Sequence, residues 1–105
     1  GKFIEIGREN ASSDALQFAP DETAPSLLDG EVFVTGVNTK ATAITNFTDA
    51  EAGIVYTIYG NGSENASTIA NAENFVLTEA MTLSEGKFIK LAKASDGKFY
   101  EVARG

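Results

Sequence analysis

The chain has 105 residues, enough for one domain, and 43% are hydrophobic against 22% charged, a balance that favours a folded module over disorder. It holds no Cys and no His, so thiolate and imidazole catalysis, disulfides and the usual zinc sites are excluded. Fifteen acidic and eight basic side chains leave a net charge of −7, which repels phosphate backbones, so nucleic acid is not expected as a partner.

Gly1-Lys-Phe-Ile-Glu-Ile-Gly-Arg8 alternates as a strand and lacks the basic-then-apolar order of a signal peptide. The same pattern returns at the other end as Gly97-Lys-Phe-Tyr-Glu-Val-Ala-Arg104. Residues 1–8 are therefore expected to be the closing strand of a preceding repeat, with 9–29 as linker or loop and 30–105 as a β-rich module. Both prolines, Pro20 and Pro25, fall in the linker, where Asp14 to Phe18 could form one helical turn.

From Gly30 onward, short β-branched and aromatic runs alternate with Gly, Asn and Asp. The expected strands are Glu31 to Thr35, Thr42 to Ile44, Ile54 to Tyr59, Thr68 to Ile69, Phe75 to Leu77, Phe88 to Ala92 and Phe99 to Val102. One helical turn is allowed at Thr48 to Ala52, stopped by Gly53. Ala94-Ser-Asp-Gly97 between two alternating arms reads as a β-hairpin turn, with Lys90 and Glu101 expected to oppose each other across the pair. No apolar run approaches the roughly 20 residues of a membrane-spanning helix, and no membrane partner is expected. The fold class that follows is all-β, with short antiparallel strands in a sandwich or an intertwined trimer.

The polar residues give no catalytic pattern. Asp21, Glu22, Asp29, Asp49, Glu51, Glu64, Glu73 and Asp96 lie in turns, and no two are spaced as the acid and base of a glycosidase. Asn61-Gly-Ser-Glu-Asn65 offers oxygen ligands but lacks the spaced acids of a calcium loop, and Gly60-Asn-Gly62 lacks the partners of a phosphate cradle. No catalytic residue, metal or cofactor is expected.

The apolar residues say more. Ile54, Tyr56 and Ile58 would share one face of a strand while Val55, Thr57 and Tyr59 share the other, so neither face seeks solvent. Phe33 lies between Val32 and Val34, and Phe99 beside Tyr100 and Val102. Strands covered on both sides need a second layer, which a short chain can take from another copy. Phe33, Tyr56, Tyr59, Phe99 and Tyr100 are the interface candidates.

The order Gly36-Val-Asn38, Ile44-Thr-Asn-Phe47, Gly53 and the strand after it, Thr68-Ile69, Asn74-Phe-Val-Leu77, Met81-Thr-Leu83, Gly86-Lys-Phe-Ile-Lys-Leu91 and Asp96-Gly-Lys-Phe-Tyr-Glu-Val-Ala-Arg104 resembles repeated segments of bacteriophage tail fibres and tail spikes. The resemblance covers residues 30 to 105, with Phe99-Tyr100 where those segments often carry Trp. It implies a homotrimeric fibre module, structural or adhesive, in a virion or at a cell surface. The competing expectation is a carbohydrate-binding or adhesion module of a surface protein that recognises a cell-surface glycan through exposed aromatics. Hydrolysis of a glycan is a third reading, weakened by the lack of an acid and base pair.

Overall fold

A computed structural model describes residues 15–62 and 64–105. The protein is all-β, and no helix occurs among the described residues. Nine strands follow in order: β1 (Leu16–Gln17), β2 (Val32–Val34), β3 (Thr42–Ile44), β4 (Val55–Tyr59), β5 (Ser67–Ile69), β6 (Phe75–Val76), β7 (Met81–Leu83), β8 (Phe88–Lys93) and β9 (Phe99–Arg104). They form a six-stranded sheet, β1-β2-β4-β8-β9-β6, and a three-stranded sheet, β3-β5-β7.

The expected antiparallel pairing holds for only part of these sheets, which are mixed. β1 with β2, β2 with β4, β3 with β5 and β6 with β9 are parallel. Parallel partners require the chain to cross over between them. It does so by alternating sheets: β2 to β3, then β4 to β5. Phe33 pairs with Ile58 and Thr42 with Ser67, a common offset of 25 residues, and a parallel bridge joins Ser26 to Thr48 between the two passes. The middle of the chain is thus two stacked coils. Antiparallel strands then close the stack, β7 on β5 and the β8–β9 hairpin on β4.

One buried cluster fills the space between the sheets. Phe33, Ile58 and Ile89 face it in register, beside Tyr56 and Leu91, while Ile44, Ile69 and Met81 form the facing rung. Ile58, Ile69, Leu83, Ile89 and Leu91 are fully buried, each contributing about 1.5–3 kcal/mol by leaving water. Phe47 sits at the centre, its ring 5.9 Å from Phe18, 5.7 Å from Phe75 and 5.4 Å from Phe99.

Three local expectations are corrected. Residues 15–29 are not a separate linker: β1 pairs with β2, Phe18 stacks on Phe33 at 5.3 Å, and Leu27 is 2% exposed. The helical turns at Asp14 to Phe18 and Thr48 to Ala52 give way to extended chain at Leu16–Gln17 and to the Ser26–Thr48 bridge, because pairing to distant strands satisfies those amides better than one isolated turn. The C-terminal hairpin forms as expected, but Lys90 faces Ala103 instead of Glu101, because the register slips between Lys90 and Leu91. The expected strand at residues 1–8 lies outside the described residues.

Candidate interaction surface

The two faces of the six-stranded sheet differ in what covers them. The inner face packs on the core. The outer face carries three cross-strand rows: Val34, Tyr59 and Phe88; Val32, Thr57 and Lys90; and Val55, Ala92, Tyr100 and Val76. Tyr59 and Phe88 touch with ring centroids 5.6 Å apart, and Val55, Val76, Tyr100 and Val102 stand out from the surface. Lys90 is the one charged residue among these rows. Exposed apolar side chains are ordinary when scattered, but here they share one face of one sheet, which is the usual mark of an interaction surface.

Alternation explains which residues reach it. In β4, Tyr56 and Ile58 point inward, so Val55 and Tyr59 point outward. Of the five interface candidates, Phe33, Tyr56 and Phe99 are only 2%, 3% and 0% exposed and are spent on the chain's own core. Burial of the Tyr56 ring is completed by its hydroxyl, which accepts the Glu51 N–H at 2.9 Å. Tyr59 and Tyr100 remain on the outer face. Phe33, Tyr56 and Phe99 thus belong to the face of the sheet that is covered within a single chain, and Tyr59 and Tyr100 to the other. Val102, 57% exposed, and Phe88 belong to the same surface and were not singled out, although their odd spacing from the buried Phe99 and Ile89 marks them as facing outward.

Tyr100 is held in place. Its hydroxyl donates to Asp96 Oδ2 at 2.6 Å, and Asp96 Oδ1 accepts the Lys98 N–H at 2.8 Å inside the hairpin turn. The Tyr100 hydrogen bond, with the Lys98 amide second, pushes the Asp96 carboxyl down; the same bond pushes the Tyr100 phenol up. A flat ring beside an ionised carboxylate results.

A second polar cluster anchors the end of β9. Glu101 accepts Arg104 Nε at 2.8 Å through Oε2, while its Oε1 accepts Arg104 Nη2 at 2.8 Å and the Thr78 N–H at 2.9 Å. Arg104 Nη2 also donates to the Glu79 carbonyl at 2.6 Å. The guanidinium, aided by Thr78 against the opposing effect of burial, holds the Glu101 carboxyl down at about 2. The pair fastens residues 78–80 to the sheet.

Neither cluster provides acid and base chemistry. Asp21, Asp96 and Glu101 are all shifted downward and thus held ionised, the reverse of what a carboxylic general acid needs. Asp21 is lowered chiefly by the Thr39 hydroxyl and then by the Thr39 amide. Asp21, Asp49 and Glu73 have φ of 64°, 63° and 52°, which is turn geometry. Asp29, Glu31, Asp49 and Glu51 do line a common groove of about 260 Å³ with Leu28 and Ile54. Among the described residues, no group of three or more Asp or Glu is arranged to hold a metal ion. In the Asn61 to Asn65 loop, the Asn65 carbonyl accepts the buried Asn38 amide at 2.8 Å, a structural use of a candidate calcium ligand. No family model matches the chain, and no curated protein and no solved structure is detectably similar to it.

Proposed function

We propose that the chain is a non-catalytic structural or adhesive module of a phage-type fibre, assembled as a homotrimer in a virion or at a cell surface. The observation that carries this reading is the outer face of the six-stranded sheet, where Val55, Tyr59, Phe88, Tyr100 and Val102 share one surface and Lys90 is the one charged residue of the cross-strand rows. A second copy covering that face would remove apolar area from water at about 25 cal/mol per Å². The resemblance of residues 30 to 105 to tail-fibre segments supports the fibre setting. Sedimentation equilibrium tests it: a mass of three chains at micromolar concentration is expected, and a folded monomer at every concentration would overturn it.

A second reading has its own observation. Tyr100, oriented by Asp96 on the surface, has the form of a sugar platform, with the ring to stack on C–H bonds and the carboxylate to accept hydroxyl protons. On this reading the module binds a cell-surface glycan. Glycan-array binding that disappears in Tyr100→Ala, with the fold intact, would support it, and a blank array for the wild-type chain would remove it.

A further inference from the structure

The outer face of the six-stranded sheet holds one side chain that does not suit burial. Lys90 lies in β8, with β4, β2 and β1 on one side and β9 and β6 on the other, and its row neighbours are Val32, Thr57 and Ala103. Among the described residues, the ion pairs are those of Arg104 with Glu79 and Glu101, and no hydrogen bond reaches the Lys90 ammonium. In a single chain water serves it. Under a second copy the ammonium would be sealed among apolar rows, where an unpaired charge opposes association. From the middle of a sheet its stem is poorly placed to carry the charge out to a rim.

The same face displays a carboxylate suited to it. Asp96 is exposed at the hairpin turn, and its Oδ2 accepts the outward Tyr100 hydroxyl at 2.6 Å while Oδ1 accepts the Lys98 N–H. An ionised carboxylate can accept roughly four hydrogen bonds, so both oxygens have room for another donor. Glu101, the next acid along the chain, is turned inward opposite Leu91 and is taken up by Arg104. Within one chain Lys90 and Asp96 stay apart. Lys90 faces Ala103, whereas Tyr100 faces Ala92, about 7 Å further along β8, and Asp96 lies beyond it in the turn.

We propose that Lys90 of one copy pairs with Asp96 of the next, and that this contact sets the register in which the outer faces meet. The contact presupposes the trimer proposed above and supplies its charged element. Strands stack along the coil axis, so β8 and β9 differ in height along it by one strand spacing, about 4.8 Å, which an extended lysine covers. Three copies around an axis parallel to that stack would hold each Lys90 close in height to a neighbour's Asp96, and the contact would repeat at every junction. Apolar rows alone tolerate sliding, whereas a charged pair disfavours every register that leaves its members apart.

Sedimentation equilibrium of the full chain, of Lys90→Met, of Asp96→Asn and of the double variant tests the pair. Met keeps the stem and removes the charge, and Asn keeps an acceptor for the Lys98 amide and the Tyr100 hydroxyl. Each single variant is expected to weaken association by about tenfold or more, because the remaining charge is buried alone. The double variant should weaken it by much less than the product of the two single effects, the mark of residues in contact. If Lys90→Met assembles as well as the wild type or better, Lys90 has no partner in the assembly, and the pair is overturned while the trimer stands. Single effects that multiply in the double variant also overturn the pair. A wild-type chain that stays monomeric at every concentration overturns the pair and the trimer together.

Discussion

Glu101 and Arg104 lie on the same side of β9 although an odd number of positions separates them. In a regular strand they would point to opposite faces. Leu91 pairs with Glu101 but Lys90 pairs with Ala103, so Val102 is an extra residue and the strand reverses its facing there. The bulge brings the Arg104 guanidinium onto the Glu101 carboxylate at 2.8 Å and points both toward residues 78–80.

Acid sensitivity follows from that pair. Glu101 is held at about 2 against 4.5 for a free side chain, so its carboxylate stabilises the fold fully above pH 4.5. That contribution falls as pH drops from 4.5 toward 2, and its size is on the order of 2–3 kcal/mol. Urea unfolding of Glu101→Gln should show lower stability at pH 7 and a flatter loss between pH 4.5 and 2. Equal acid slopes in the two proteins would show that Glu101 is not the titrating group.

Gly60 stands at a corner where β4 leaves the six-stranded sheet. A Cβ there would run into the carbonyl oxygens of Leu83 and Ser84, which are backbone atoms that cannot rotate aside. Gly60→Ala should therefore cost more than about 2 kcal/mol in chemical denaturation. Gly36 makes a like approach, with a Cβ position 2.5 Å from the Ala19 carbonyl oxygen. A near-neutral Gly60→Ala would mean that the two sheets are not joined as closely as described.

Much of the strand content was legible because each run is short, β-branched or aromatic, and bounded by Gly, Asn or Asp. The hairpin was legible from Asp96-Gly97 alone. Pairing direction was not, since apolar alternation is the same in parallel and antiparallel strands. The coil repeat left few letters, only Ala41 with Ala66, Ile44 with Ile69 and Asn46 with Asn71 at the 25-residue offset, and its inner rung uses Thr42 and Ser67 where an apolar signal would be sought. β1 carries no local signal at all; a bond from Phe18 to Val34 fixes it. On the candidate surface, Phe99-Tyr100 put an aromatic on each face, so the sequence could not tell the buried ring from the exposed one.

Phe47 links the aromatic side chains of both halves of the core. It contacts Phe18 from the segment just after β1, and Phe75 in β6 and Phe99 in β9. Phe47→Ala should cost about 3–5 kcal/mol, more than truncation of any exposed residue of the outer face. Thermal unfolding followed by dichroism would show it as a fall in midpoint. A loss under about 1 kcal/mol would mean the cluster is loosely packed.

The outer face can be separated from the core by charge. Val102 is 57% exposed and has no described polar partner, so Val102→Lys should leave the isolated chain's dichroism unchanged. Within an assembly the same ammonium would be buried opposite apolar neighbours, where an unpaired charge costs several kcal/mol. It would also add to the charge of Lys90, whose partner across the β8–β9 pair is Ala103, next to Val102. For the proposed trimer, light scattering should then show a loss of assembly mass in Val102→Lys and in Tyr59→Lys, with Lys40→Ala, away from these rows, unaffected. If the wild type assembles and both outer-face variants keep its mass, the contact between copies lies elsewhere on the molecule.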